Sequence, residues 1–282
     1  MLELKRLDSI INKYDVIFCD VWGVLHNGVH SFQGAVEALI QAKKSGKYVV
    51  LVTNSPRNAA QVSEQLKDFS IDYHVYDALV TSGDATRFLL ENAPNKIFYI
   101  GTFESRPVLQ ERQEWVERGE AEAVFCTGLF TEYADSIDFY RTLFEPLISR
   151  DTPFICANPD VLVEIGDRYM WCAGALADLY KEMGGKVLIA GKPHFPIYDL
   201  AFKKIQKISK ERPLEKVRIL AIGDGLLTDI QGAQNYGIDA LFIAGGIHKR
   251  EYMCGDRLDT MLLKETIERY ALTPSYYTQA LS

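Results

Sequence analysis

Short apolar runs and amphipathic segments alternate along the first 80 residues of the chain. The apolar runs have the length of strands and lack polar alternation, which predicts strands buried on both faces. In the segments between them apolar residues recur at helical spacing, as Val36, Leu39 and Ile40 do. The predicted strands are 15–20, 48–52 and 78–80, and the predicted helices are 33–45 and 59–69. This alternation is typical of a parallel sheet.

The same alternation returns near the end of the chain, with predicted strands at 187–190, 217–222 and 240–243 and helices at 197–209 and 227–236. One sheet can hold both ends. We therefore predict an α/β fold in which residues 1–83 and 186–282 form a Rossmann-like, doubly wound parallel core. Residues 84–185 are predicted to form an inserted second α/β domain, with strands at 96–100, 123–126 and 154–156 and helices at 107–118 and 136–148.

Composition and charge narrow the classes of function. Lys and Arg total 31 against 38 Asp and Glu, a formal charge of −7, which disfavours a nucleic-acid partner. No apolar run is long enough to span a bilayer, so no membrane partner is expected. The first residues lack the apolar centre of a signal peptide, which favours a cytoplasmic location. The five cysteines form no CxxC pair, so neither a zinc site nor a disulfide framework is expected.

Polar residues follow four of the predicted core strands. In an open parallel sheet such residues meet at the carboxyl edge, where ligands bind. Carboxylate oxygens suit magnesium, an ammonium and a hydroxyl suit phosphoryl oxygens, and a carboxylate beside the metal can attack phosphorus. The four groups are Asp20; Thr53, Asn54 and Ser55; Lys192 between Gly191 and Pro193; and Asp224 with Asp229. They predict a phosphate and divalent-cation site, whereas a nicotinamide-dependent oxidoreductase is disfavoured because no GxGxxG follows the first strand.

The segments DVWGVLHNG, VTNSP, GKP and IGDGLLTDIQGA resemble, in that order, the four motifs of the haloacid dehalogenase (HAD) superfamily. The resemblance covers essentially the whole chain. VTNSP, ANPD at 157–160 and the length of the insertion resemble the class IIA branch, which contains nitrophenyl-phosphatase-like and sugar-phosphatase-like hydrolases with an α/β cap. The resemblance thus implies a Mg²⁺-dependent phosphatase that acts on a small phosphorylated metabolite, such as a sugar phosphate. Such proteins often associate through their caps, which leaves a homo-oligomer open.

Carried over residue by residue, the resemblance gives each position a role. Asp20 becomes the nucleophile that takes the phosphoryl group, while Thr53 binds its oxygens and Lys192 steadies both. The implied metal ligands are Asp20, the backbone carbonyl of Trp22, Asp224 and Asp229. The expected substrate-binding residues are Thr53, Asn54, Ser55, Lys192, Trp22, His26 and Asn158.

Trp22 departs from the first motif, which is usually DxD and carries the general acid and base at this position. Trp22 still has the backbone carbonyl that the motif uses as a metal ligand, but it lacks the carboxyl group that transfers the proton. General acid and base catalysis contributes about 10² to 10⁴ in rate, so turnover is expected to be slowed. His26 is a candidate proton donor, although a histidine that packs in the loop or lines the pocket fits the sequence better. The alternative function is a protein that binds or senses a phosphorylated metabolite with weak or no turnover.

Overall fold

The computed structural model of the protein describes residues 1–131, 136–166, 168–210, 213–255 and 257–282. Its strands are β1 Leu2–Glu3, β2 Val16–Cys19, β3 Tyr48–Thr53, β4 Ala78–Thr81, β5 Lys96–Ile100, β6 Glu114–Trp115, β7 Ala123–Cys126, β8 Phe154–Cys156, β9 Leu162–Ile165, β10 Arg168–Trp171, β11 Val187–Ile189, β12 Ile219–Gly223, β13 Asp239–Ile243, β14 Met253–Cys254, β15 Arg257–Leu258 and β16 Tyr276–Thr278. Its α-helices are α1 Gln33–Lys44, α2 Ala59–Lys67, α3 Ser82–Glu91, α4 Phe139–Ile148, α5 Ala173–Glu182, α6 Phe195–Ser209, α7 Gln231–Tyr236 and α8 Thr260–Arg269.

The core is a parallel sheet in the order β1-β16-β13-β12-β2-β3-β4. Successive residues of β2 and β3 point to opposite faces. Val16 and Phe18 pack with α6, α7 and α8 on one side, while Ile17 and Cys19 pack with α1 and α2 on the other. Every residue of β2 is buried, so the apolar run that predicted this strand faces the interior on both sides of the sheet. The predicted doubly wound α/β core is therefore confirmed.

Local sequence signals explain where several core helices begin and end. Asn58 caps α2 by accepting from the Gln61 N–H, and the Gln61 side chain accepts from the Asn58 N–H. The Thr81 side chain caps α3 by accepting from the Asp84 N–H. After α1, Gly46 adopts a φ of 77°, which a glycine accepts without strain. These caps set the direction in which each helix leaves the edge of the sheet.

A second parallel sheet has the order β11-β8-β7-β5-β6. Helices α4 and α5 cover one face, and Leu90 near the end of α3 packs against the other. Strand β11 was expected in the core sheet, and that prediction is wrong because Val187–Ile189 pairs with Phe154–Cys156. We propose a division of the chain into a core of 1–83 and 190–282 and a cap of 84–189, so the return to the core falls later than the sequence indicated.

The prediction of a helix at 107–118 is also wrong. This segment is irregular apart from β6, and its side chains bond to backbone carbonyls at the end of α3. The Gln113 amide donates to the Leu90 carbonyl at 2.7 Å, and the Arg112 guanidinium donates to the Glu91 carbonyl at 2.6 Å. These bonds to a neighbouring element hold the segment in an irregular path that its spacing of apolar residues could not reveal. Among helices in the described ranges, none has both the length and the apolar character that a bilayer span requires.

Candidate active site

Three of the predicted site residues lie at the carboxyl ends of adjacent core strands, at one edge of the sheet. Asp20 follows β2, Thr53 ends β3 and Asp224 follows β12. Strand β2 lies between the other two, and the chain moves from β2 to β3 on one side and reaches β12 on the other only after the insertion. Such a reversal in strand order opens a crevice beyond the carboxyl ends. The fold thus brings together side chains that lie far apart in the sequence.

Lys192 lies at the centre of the acidic groups. Its Nζ donates to Asp20 Oδ1 and to Asp229 Oδ1, both at 2.6 Å, and the lysine is only 3% exposed. Burial acts against the ammonium, but the carboxylates of Asp20 and Asp229 outweigh it and raise the pKa of Lys192 well above its usual value. Lys192 is therefore a fixed cation that holds two carboxylates in place.

Carboxylate oxygens of Asp20, Asp224 and Asp229 lie within 4.8 Å of one another, and all three residues are buried. With Lys192 protonated, the four side chains carry a formal charge of −2. Burial and the neighbouring Asp229 raise the pKa of Asp20 well above its usual value and that of Asp224 to about 7, because negative charge is in excess here. Hard oxygen donors with uncompensated negative charge fit a divalent cation.

Backbone groups and glycines complete the acidic cluster. The N–H of Ile247 donates to Asp224 Oδ2 at 2.8 Å, and the N–H of Gly225 donates to Asp229 Oδ2 at 3.1 Å. Asp229 lies on a π-helical turn, Leu226–Ile230. A Cβ at Gly23 would lie 2.1 Å from Asp224 Oδ2, so only glycine allows the loop between β2 and α1 to approach this carboxylate. The carboxylates can therefore lie this close together because glycine follows β2 at position 23 and backbone N–H groups bind Asp224 and Asp229.

Thr53 and Ser55 end up in different environments. Thr53 lines the cavity above Asp20, and its Oγ1 accepts from the Ser55 N–H at 3.3 Å. The Ser55 hydroxyl oxygen accepts from the N–H of Arg57 at 3.3 Å, and the Ser55 side chain is not part of the cavity wall within the described residues. Thr53 therefore faces the cavity, whereas the hydrogen bonds of Ser55 are to its own loop.

The side chain of Asn54 is fully engaged by protein groups. Its Oδ1 accepts from the Lys192 N–H at 2.8 Å, and its Nδ2 donates to Asp160 Oδ1 at 2.8 Å and to the Lys192 carbonyl at 3.2 Å. Asn158 Oδ1 accepts from the Asp160 N–H at 3.1 Å. Asn54 and Asn158 were both expected to bind substrate; among the described residues neither lines the cavity, and both form hydrogen bonds to protein groups, so a contact with substrate stays a prediction.

Trp22 joins the core to the cap. Its indole N–H donates to the Glu164 carbonyl at 2.8 Å, on the hairpin formed by β9 and β10. The Glu164 carboxylate also pairs with Lys249 of the core at 3.0 Å. A Cβ at Gly28 would lie 2.7 Å from the Trp22 ring, so this glycine leaves room for the indole. The sequence offered no signal for Glu164 or Lys249, because their pairing depends on how the two domains meet.

His26 lies in the loop between β2 and α1 and is not among the described residues that line the cavity. Its ring stacks on Phe69 with centroids 4.4 Å apart, and its Nδ1 accepts from the Gly28 N–H at 3.0 Å. Burial lowers the pKa of His26 to about 4, so the imidazole is neutral at pH 7. The expectation that His26 packs in the loop agrees with this geometry, and its candidate role as a proton donor does not.

The cavity above the acidic cluster has a volume of about 1130 Å³ and is bounded by both domains. The core supplies the acidic cluster, Thr53 and Trp22, while the cap supplies the β9–β10 hairpin, β11 and part of α5. His194 and His248 also line it, and His248 Nδ1 lies 2.8 Å from Glu251 Oε1. A cavity of this size can hold a small organic molecule.

Comparisons with known proteins agree with this geometry. The family described as haloacid dehalogenase-like hydrolase matches residues 17–113, and a HAD-hydrolase-like family matches residues 189–257. A solved hydrolase of the haloacid dehalogenase-like family from Brucella suis 1330 is 44% identical, covers 99% of this chain and 100% of its own, and superposes with a TM-score of 0.88. Phosphoglycolate phosphatase 2 of Arabidopsis thaliana is 24% identical, over 100% of this chain and 96% of its own. The glycerol phosphate phosphatase of Mycobacterium tuberculosis, solved with magnesium, is 21% identical with a TM-score of 0.61, over 85% of this chain and 70% of its own.

Proposed function

Because this chain belongs to the haloacid dehalogenase-like hydrolase family, we propose that it is a magnesium-dependent phosphatase. Its substrate is a small phosphorylated metabolite, a sugar phosphate or a similar phosphomonoester, and Asp20 carries the transferred phosphoryl group. The observation that carries the proposal is the bonding of Lys192 Nζ to both Asp20 and Asp229, within a cluster of three buried carboxylates. Relatives named as phosphatases of phosphoglycolate and glycerol phosphate support the same reaction class.

The first step is attack by Asp20 on phosphorus. A bond forms between a carboxylate oxygen of Asp20 and phosphorus while the bond to the leaving oxygen breaks. Lys192 keeps the nucleophile oriented and neutralises charge on the phosphoryl oxygens, and the Thr53 hydroxyl donates to one of them. Magnesium held by Asp20, Asp224, Asp229 and the backbone carbonyl of Trp22 would supply further positive charge to those oxygens.

The second step returns Asp20 to its carboxylate form. Water attacks phosphorus, the bond between phosphorus and the Asp20 oxygen breaks, and inorganic phosphate leaves. Both steps need a proton carrier, since the leaving oxygen gains a proton and the attacking water loses one. The Trp22 side chain cannot serve, because its indole N–H donates to the Glu164 carbonyl and the ring has no acidic group.

The missing carboxyl group makes the first step depend on the leaving group, and turnover follows this dependence whenever the first step is the slower one. An alkoxide leaves poorly without a proton donor, whereas a nitrophenolate leaves readily as an anion. We therefore expect nitrophenyl phosphate to be hydrolysed faster than alkyl phosphates, at equal occupancy of the site. The experiment is phosphate release from both classes of ester with magnesium, with EDTA in its place, and with the Asp20→Asn variant. Release that persists in the variant would refute the assignment of Asp20.

The second candidate function is binding or sensing of a phosphorylated metabolite with weak turnover. Trp22 favours it, because the indole occupies the position of the acid and ties the core to the cap. Phosphate and metal would still bind at Lys192 and the acidic cluster. The two functions separate when ligand binding and phosphate release are measured on the same preparation. Binding of inorganic phosphate with magnesium, but no release from any ester, would favour the second.

A further inference from the structure

We propose that Asp160 of the cap is a positioning residue for Lys192, acting through Asn54. The inference rests on the proposed function, in which Lys192 holds Asp20 and the phosphoryl group. Asp160 lies in the loop between β8 and β9, whereas Asn54 follows β3 of the core. The three residues are far apart in the chain but joined by consecutive hydrogen bonds.

The bonds leave Asn54 a single orientation. Asp160 Oδ1 accepts from Asn54 Nδ2 at 2.8 Å, and a carboxylate oxygen can only accept. The amide nitrogen of Asn54 must therefore face the cap, which turns Asn54 Oδ1 toward the Lys192 N–H at 2.8 Å. The same Nδ2 also reaches the Lys192 carbonyl at 3.2 Å. Asn54 thus forms hydrogen bonds with both backbone groups of Lys192, and the bond to Asp160 holds the amide in the orientation that both of them require.

Asp160 is itself held firmly. Its N–H donates to Asn158 Oδ1 at 3.1 Å, and its carbonyl accepts from the Gly174 N–H at 3.0 Å. A Cβ at Gly174 would lie 2.2 Å from the Pro159 carbonyl oxygen, so the glycine at this place lets α5 approach the loop. A loop tied at both its N–H and its carbonyl is a rigid anchor for a side chain.

The loop also packs directly on the segment that carries Lys192. A Cβ at Gly191 would lie 2.7 Å from Pro159 Cγ and 2.8 Å from Asn54 Oδ1. Lys192 then extends from this segment to Asp20 and Asp229 with two bonds of 2.6 Å. A small rotation of the Lys192 backbone would misplace Nζ at both carboxylates, so the anchoring of its peptide groups bears directly on the chemistry.

The test measures turnover and the position of Lys192 separately. Asp160→Ala removes the acceptor, and we expect kcat for nitrophenyl phosphate to fall roughly tenfold to hundredfold with KM little changed. Hydrogen exchange at the Lys192 N–H should become about tenfold faster, because Asn54 is no longer oriented. Asp160→Asn keeps a side-chain oxygen that accepts, so it should restore most of both properties. Glu182→Ala, which removes an exposed cap carboxylate paired with Arg141, is the control expected to change neither.

An exchange of the two side chains keeps the proposal testable if Asp160→Ala does not fold. Asn54→Asp alone places two carboxylates against each other, so it should lower both kcat and the protection of the Lys192 N–H. Adding Asp160→Asn supplies an amide at position 160 that can donate to the new carboxylate at position 54, which reverses the direction of the original hydrogen bond. The double variant should therefore recover part of both properties. Failure of the double variant to improve on Asn54→Asp would overturn the proposal.

Three further outcomes would also overturn it. Wild-type kcat and wild-type exchange in a folded Asp160→Ala protein would show that Lys192 needs no anchor from the cap. An Asp160→Asn protein as slow as Asp160→Ala, with normal exchange at Lys192, would assign the carboxyl group to proton transfer instead. Losses that add when Asp160→Ala is combined with Asn54→Ala would show that the two act independently. Absence of Asp20-dependent turnover in the wild type would refute the proposed function alone, because exchange at Lys192 still reports the anchor.

Discussion

Trp22→Phe tests the role of the indole N–H in joining the two domains. Phenylalanine keeps an aromatic ring in the space left by Gly28 but has no group to donate to the Glu164 carbonyl. Among the described residues of the hairpin, three other contacts also hold it to the core. They are the Lys249–Glu164 ion pair at 3.0 Å, the stacking of Arg250 over Tyr169 at 4.5 Å and the Gly166 N–H bond to the Asn27 carbonyl at 3.3 Å. Docking of the hairpin should therefore weaken without being lost.

The size of the effect follows from what is removed. One hydrogen bond to a neutral carbonyl contributes about 1 kcal/mol net, and the smaller ring loses up to about 1 kcal/mol of packing. A loss of about 1 to 2 kcal/mol raises the undocked population roughly fivefold to thirtyfold. The Gly166 N–H reports docking directly, since its acceptor lies in the core loop. Its hydrogen exchange should therefore accelerate by that factor.

The assay is residue-resolved hydrogen exchange at pH 7, with Trp115→Phe as the matched control. Trp115 lies in β6 at the far end of the cap sheet, where its ring contacts Tyr99 and Arg106. The control should leave exchange at Gly166 unchanged even if overall stability falls. Equal exchange at Gly166 in Trp22→Phe, Trp115→Phe and the wild type would refute the assignment of Trp22 to hairpin docking.

The site makes three further predictions. Magnesium at 100 times its dissociation constant should raise the melting temperature of the wild type by about 5 °C. Asp224→Asn should remove most of that rise. An equal rise in both proteins would exclude Asp224 as a ligand. Burial holds the pKa of His26 at about 4, below its usual value, so its contribution to stability is full above pH 6.5 and is lost as the pH falls toward 4. The free energy of unfolding of the wild type relative to His26→Asn should therefore fall by about 2 kcal/mol between pH 7.5 and pH 5 in urea titrations, and a constant difference would contradict the neutral imidazole. Trp22→Asp should raise kcat for alkyl phosphates at least about tenfold, and no gain would show that more than a proton donor separates this chain from its relatives.

The core and its acidic cluster could be predicted because their signals are local. A buried parallel strand is a run of apolar residues, and the polar residue after it lies at the carboxyl edge whatever the rest of the chain does. Asp20, Thr53 and Asp224 follow this rule. Lys192 follows it only in part, because the strand before it belongs to the cap sheet and its position depends on Asn54 instead.

The parts that could not be predicted depend on how distant segments meet. Strand β11 is three residues long, and nothing in Val187–Ile189 specifies which sheet it joins. The roles of Asn54 and Trp22 depend on partners more than 100 positions away, at Asp160 and Glu164. A sequence shows which side chains can form hydrogen bonds, whereas the fold decides whether those groups meet a substrate or another part of the protein.

Phosphate release measured for the wild type and Asp20→Asn, each with magnesium and with EDTA, tests whether Asp20 and a divalent cation carry out phosphate ester hydrolysis in this protein. The substrates are nitrophenyl phosphate and a panel of small phosphorylated metabolites, and circular dichroism checks that both proteins are folded. We expect release that requires magnesium and disappears in Asp20→Asn. Release that continues in the folded variant, or no release from any ester by folded wild-type protein with bound magnesium, would contradict it.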